Sequence, residues 1–246
     1  MSFYDTCTNL PNKVLLCRHT ESTLNELPRA KGFFLTEEGK QMMLNTPNHE
    51  IPLSIKGKEQ AKLVGQLIGS CFGIPDVIVT SGYRRTEETL VGIASAFQRG
   101  ELNATQIEGD VSFRERDNDL ASYMTLKEAK EYFPWLQTYW ERTGPFFAKP
   151  PQGESIADMI PRVSLGLLQA FNLAQGGKLI IITHARTIAC CRYLLESWDI
   201  CTMESFLRGT EPKNGGCTFY ESDQSSLQKR LSLIEYNVTP KSELFA

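Results

Sequence analysis

Three places in the sequence put cationic or nucleophilic side chains directly after a short apolar run. Residues 14–17 lead into Arg18 and His19, and residues 77–79 into Ser81 with Arg84 and Arg85 just beyond. Residues 179–182 lead into His184, Ala185 and Arg186. A guanidinium grips phosphate oxygens two at a time, and an imidazole held among such groups can act as a nucleophile. If the three runs lie side by side, their polar ends make an anion pocket with a histidine nucleophile inside it.

Each residue taken alone has a plainer reading. A strand-end histidine is more often packed than catalytic, and the pair Arg84-Arg85 reads equally as a solvated face. Arg186 fits either an extension of the anion site or a solvent-facing helix start. His49 sits in an irregular stretch and reads as a surface loop histidine. A metal site made of His19, His49 and His184 is the sharper alternative, but no close i, i+4 pair supports it, so no metal is expected.

For those residues to meet, the runs must be neighbouring strands, because ligands of open α/β sheets bind beyond the C-terminal strand ends. Short β-branched runs read as buried parallel strands, although periodicity alone leaves helix segments open. Helical patterns fall between them. Ile55–Cys71 carries Ala61, Val64, Leu67 and Ile68 on one face, and residues 85–97, Ile156–Ala174 and 187–198 read similarly. Ser155 with Asp158 three residues on marks the start of the third. Strand–helix alternation predicts a three-layer α/β/α domain with a mostly parallel central sheet. Residues 217–221 and 231–236 look like a hairpin closing one edge. Two stretches, 26–53 and 112–151, are too long for plain connections and are expected to form a lid. The second is rich in aromatics, Tyr123, Tyr132, Phe133, Trp135, Tyr139, Trp140, Phe146 and Phe147 among them, which would line that lid or build a satellite core of their own.

Composition narrows the class. The chain has 246 residues, 41% of them hydrophobic, and a formal charge of −3. With no linker or repeat, a single domain over 1–246 is expected. No dense Lys/Arg run argues for nucleic acid or an anionic membrane, and no stretch is long and apolar enough to span one. Oligomeric state stays open. Seven cysteines without a CxxC pair and an N-terminus unlike a signal peptide point to the cytoplasm.

Six segments in register make a resemblance specific. Arg18-His19-Thr20-Glu21-Ser22 with Asn25 resembles the R-H-G-E-S-x-x-N signature of the histidine phosphatase (phosphoglycerate mutase-like) superfamily. Pro52-Leu53-Ser54 with Gly57, Gln60 and Ala61 follows. Then come Thr80-Ser81-Gly82-Tyr83-Arg84-Arg85-Thr86 with Thr89, and Phe113-Arg114-Glu115. The last two are Gly153-Glu154-Ser155 with Asp158, Arg162 and Val163, and Thr183-His184-Ala185. The likeness runs from about residue 13 to about residue 220.

The resemblance implies a phosphomonoesterase, a hydrolase similar to the histidine acid phosphatases, acting on a small phosphorylated substrate without metal or cofactor. His19 would accept the phosphoryl group, and Arg18, Arg85 and His184 would complete its pocket. Glu115 would protonate the leaving oxygen, which requires a protonated carboxyl. Asn25 is implied as a further donor. Thr20 and Ala185 stand where the family usually has glycine, and the Thr20 hydroxyl is expected to face phosphate, with Arg186 extending the site. A phosphoglycerate mutase shares the nucleophile, and a phospho-ligand binding protein without turnover is the third reading. Residues 139–147 lack the arginine pair of the mutase lid, which favours the phosphatase.

Overall fold

The computed structural model describes residues 3–28, 35–209, 211–222 and 230–240. Six strands form one sheet in the order β3-β2-β4-β1-β5-β6. They are β1 Lys13–Arg18, β2 Val77–Thr80, β3 Gln106–Gly109, β4 Lys178–Thr183, β5 Cys217–Ser222 and β6 Leu231–Val238. The first four run parallel, whereas β5 pairs antiparallel with β1 and β6 antiparallel with β5. The mostly parallel sheet and its closing hairpin are therefore both present.

Nine α-helices occur among the described residues: α1 Thr23–Glu26, α2 Glu37–Asn45, α3 Ile55–Cys71, α4 Arg84–Ala94, α5 Leu126–Tyr132, α6 Leu136–Thr143, α7 Ile156–Ala174, α8 Ala185–Leu195 and α9 Ile200–Arg208. Successive strand residues face opposite sides of a sheet, and here each side has its own core. Val14, Leu16, Val77, Val79, Leu179 and Ile181 pack against Met159, Val163 and Leu167 of α7 and Ile188 of α8. Leu15, Cys17, Ile78, Ile180 and Ile182 pack against Val64 and Ile68 of α3 and Leu90 and Ile93 of α4. Strands covered on both faces must be apolar throughout, which is why the three runs carry no alternation. Truncating one of these side chains, Leu15→Ala for example, costs about 2–5 kcal/mol.

Ser155 caps α7 by accepting from the Asp158 amide, while Asp158 accepts from the Ser155 amide in return, the reciprocal box that the sequence shows. The sequence does not show β3, because Gln106–Gly109 is a polar edge strand exposed along its whole length. Helix α4 ends at Ala94, short of the expected 97, and α8 begins at Ala185 rather than at 187.

The two long stretches meet each other. Leu35 bridges to Thr125, the Leu35 amide donates to the Met124 carbonyl (3.2 Å), and Lys40 pairs with Glu128. Beneath α5 and α6 a small cluster of Ala121, Ala129 and Leu136 collects Phe133, Tyr139 and Trp140. For these aromatics the satellite core is the better description. Phe146 joins the main core, and Tyr123, Tyr132, Trp135 and Phe147 are exposed. No helix among the described residues is long and apolar enough to cross a membrane.

Candidate active site

Register brings the polar strand ends together. Arg18 pairs with Thr183 across β1 and β4, and Thr80 pairs with Ile182 across β2 and β4. His19, Ser81 and His184 each follow one of these strand ends. The His19 and His184 rings lie 5.2 Å apart, edge to face. Arg18 (8% exposed), His19 (4%), Arg85 (5%) and His184 (0%) are all buried.

A cavity of about 270 Å³ opens over this floor. Arg18, His19, Asn25, Arg85, Glu115, Ala185 and Arg186 line it, so seven of the expected site residues converge. Arg116 and Glu211 join them, and the 24–28 and 35–43 stretches supply an apolar wall that includes Leu24, Leu27, Leu35 and Met43. Among the described residues that line the cavity there is no phenylalanine, tyrosine or tryptophan. His49 is outside the cavity, on an exposed turn.

The hydrogen bonds of the floor fix its chemistry. His19 Nδ1 lies 2.7 Å from the Thr20 carbonyl oxygen. A carbonyl only accepts, so in the neutral ring Nδ1 carries the proton and Nε2 keeps its lone pair. Arg18 donates through Nη1 to the Pro212 carbonyl (2.5 Å), and Arg85 through Nη1 to the Asn48 carbonyl (2.6 Å). Burial pushes Arg85 down to about 10, with Glu115 and Tyr83 opposing, so it remains cationic at neutral pH. Neither α4 nor α8 has a side-chain N-cap, and both helices begin beside this floor with their positive dipole ends.

Asn25 is oriented by its neighbours. Its Oδ1 accepts from the Ser22 amide (3.2 Å), the Ser22 hydroxyl (2.9 Å) and Asn214 Nδ2 (3.0 Å). With the oxygen so occupied, the amide nitrogen is the end left to serve as a donor. Thr20 departs from expectation. It is fully buried away from the cavity, its amide donates to Thr89 Oγ1 (3.2 Å), and its hydroxyl lies 3.3 Å from the same oxygen. The β-branched side chain that replaces glycine is absorbed by packing against α4. Ala185 faces the cavity and is accommodated without any polar role. Arg186 reaches the cavity while paired with Glu211 at 2.6 Å.

Glu115 lines the same cavity, its Oε1 accepting from the Arg116 amide (2.9 Å). Its backbone is tied to α7. Arg162 donates to the Ser112 and Arg114 carbonyls and pairs bidentately with Glu154, which also pairs with Arg114. Burial raises the Glu154 carboxyl, but its bonds from Arg162 and the Asp117 amide outweigh that and leave it below its ordinary value. The Gly-Glu-Ser motif therefore acts by holding the Glu115 segment in place.

Gly57 does the same for the loop after His19. A Cβ there would come within 1.9 Å of the Glu21 carbonyl oxygen, which already accepts from the Ser54 amide (2.9 Å). Only glycine allows α3 to approach that backbone so closely.

Two contributors escaped the sequence reading. Asn214 donates to the His19 and Thr20 carbonyls (3.2 and 3.3 Å) as well as to Asn25, so it clamps the nucleophile loop from the segment before β5. Ser81, quoted in a motif but given no role, lies 2.8 Å from His184 Nε2. Its position after a strand was the available signal; for Asn214 there was none short of the strand pairing.

Comparison with known proteins agrees with this geometry. The family model described as histidine phosphatase superfamily (branch 1) matches residues 14–226. The phosphoglycerate mutase-like protein AT74H of Arabidopsis thaliana is 28% identical over 219 residues, covering 81% of this chain and 70% of that protein. In three dimensions the chain is similar to a mycobacterial glucosyl-3-phosphoglycerate phosphatase in complex with inorganic phosphate. There the TM-score is 0.66 at 19% identity, over 93% of this chain and 98% of that one. A putative alpha-ribazole-5'-P phosphatase from Escherichia coli gives a TM-score of 0.69 at 14% identity, over 93% and 97%. At those identities the likeness speaks to the fold.

Proposed function

The chain belongs to the histidine phosphatase superfamily, branch 1, and from that premise we propose that it is a cytoplasmic, metal-independent phosphomonoesterase working through a phosphohistidine at His19. One observation carries the reading: the His19 Nδ1 bond to Thr20 leaves Nε2 as a lone pair within a floor of buried guanidiniums.

A phosphomonoester enters with its phosphoryl group over Arg18, Arg85 and His184, with the Asn25 amide as a further donor. His19 Nε2 attacks phosphorus as the ester P–O bond breaks, and Glu115 gives its proton to the departing oxygen. Glu115, now a carboxylate, takes a proton from water, whose oxygen attacks the phosphohistidine. The P–N bond breaks, its electron pair returns to Nε2, and phosphate leaves. Phosphoryl transfer passes through a loose transition state, so fixed positive charge supplies most of the stabilisation. The substrate is a small phosphorylated metabolite whose non-phosphate part rests on the wall of Leu24, Leu27, Leu35 and Met43.

Phosphate release from p-nitrophenyl phosphate and a panel of phosphorylated metabolites, with EDTA present, tests the proposal. Turnover that resists EDTA and vanishes in His19→Ala supports it. Glu115→Gln separates the acid step, because alkyl esters should lose roughly 10²–10⁴-fold while the nitrophenyl ester, with its stable leaving anion, loses far less. The name of the Arabidopsis relative keeps a mutase in view, and isomerised phosphoglycerate without free phosphate would favour it. Phosphate binding with no turnover of any panel member would favour a binding protein.

A further inference from the structure

His184 is held by a chain of hydroxyls whose protons can be counted. Thr86 Oγ1 lies 2.7 Å from the Tyr83 carbonyl oxygen and must donate to it, since a carbonyl has no proton to give. Having spent its one proton, Thr86 can only accept at 3.0 Å from Ser81 Oγ. Ser81 therefore donates to Thr86 and can only accept, at 2.8 Å, from His184 Nε2. The count puts a proton on Nε2. Ser81, Thr86 and His184 are each fully buried, so no solvent enters to rearrange the chain. His184 Nδ1 is buried as well and has no hydrogen-bond partner among the described residues.

The surroundings keep the ring neutral when the pocket holds no anion. Burial, then Arg85, His19, Arg18 and Arg162, hold His184 well below its ordinary value. His19 and Arg18 reach it from the end of β1, Arg85 from α4 and Arg162 from α7, while the Tyr83 ring lies 5.1 Å away. A neutral ring with its proton on Nε2 offers only a lone pair at Nδ1, so a phosphate oxygen brought against that nitrogen would meet it lone pair to lone pair.

We propose that Ser81 is a positioning residue that fixes His184 as the Nε2–H tautomer, so that a phosphate dianion is bound together with a proton taken up at His184 Nδ1. The proton comes from solvent; afterwards Nε2–H donates to Ser81 and Nδ1–H to a phosphate oxygen. The inference rests on the phosphate-pocket reading above. Its consequence is linkage: in the pH range where the free ring is neutral and the bound ring cationic, phosphate affinity falls about tenfold per pH unit.

The test is a long-range ¹H–¹⁵N correlation spectrum of the full chain with ¹⁵N-labelled histidine, recorded with and without inorganic phosphate at about pH 7.5, where the ligand is largely dianionic. The chain has three histidines, so single substitutions assign the signals. The expected result is an Nε2–H ring for His184 in the free protein and protonation of both nitrogens with phosphate. Ser81→Ala should release the ring to the Nδ1–H form, flatten the pH dependence of phosphate binding, and be rescued by Ser81→Thr. An Nδ1–H tautomer in the free wild type, or a singly protonated ring in the phosphate complex, overturns the proposal, and both are read from wild type even if Ser81→Ala fails to fold. Phosphate that perturbs neither His19 nor His184 overturns the pocket reading, and this inference with it.

Discussion

The floor of the cavity and its wall are built in different ways. The floor consists of residues that follow β1, β2 and β4, three neighbouring parallel strands whose backbone register fixes each side chain relative to the next. The wall, in its described parts at 24–28 and 35–43, is made of short helices and turns. It meets the stretch before α6 through the Leu35–Thr125 bridge and the Lys40–Glu128 pair, and that stretch has only a small cluster of its own around Ala121, Ala129 and Leu136. Parallel strands packed on both faces open only with the global structure, whereas small units with few buried contacts open at lower cost. A rigid floor suits phosphoryl chemistry, which tolerates little displacement of its charges. A separately assembled wall lets substrate choice vary without disturbing that chemistry.

Substitutions in the two regions should therefore differ in kind. Arg85→Lys keeps a charge but loses the planar fork, and the expected loss in kcat/KM is roughly 10²–10³-fold for every phosphomonoester alike. A loss confined to some substrates would move Arg85 from floor to wall. Asn214→Ala removes the clamp on His19, Thr20 and Asn25. One positioning hydrogen bond is worth about 0.5–1.5 kcal/mol, so kcat/KM should fall roughly 3–10-fold, again regardless of leaving group. Leu24→Ala, in the wall, should raise KM a few-fold for substrates with an apolar body, leaving kcat on p-nitrophenyl phosphate nearly unchanged. If kcat falls for the nitrophenyl ester too, the two regions are mechanically coupled and the distinction fails.

The same contrast explains what could be read from the sequence. The floor was legible because a strand buried on both faces must be apolar throughout, so the change to Arg18-His19, Ser81 and His184 stands out as a strand end. The long helices α3 and α7 were legible from their periodicity and from the Ser155–Asp158 cap. Short elements gave no such signal: α2 has nine residues and α5 seven, too few turns to display a period of 3.6. Gln106–Gly109 failed for the opposite reason, being a strand with no buried residue. Thr20 was expected at phosphate because its neighbour is. Whether its hydroxyl turns inward depends on Thr89, a residue of α4 that local sequence does not connect to it. Asn214 is further still from the loop it holds, and only the antiparallel pairing of β5 with β1 brings it there.

The central claim is that His19 Nε2 carries the phosphoryl group. It is tested most directly by rapid acid-free quenching of the protein during turnover of a ³²P-labelled phosphomonoester, followed by peptide mapping. The account predicts a label that is stable to alkali and labile to acid, on the peptide containing His19 and absent in His19→Ala. Turnover that proceeds with no labelled protein in wild type, or that survives in His19→Ala, would contradict it.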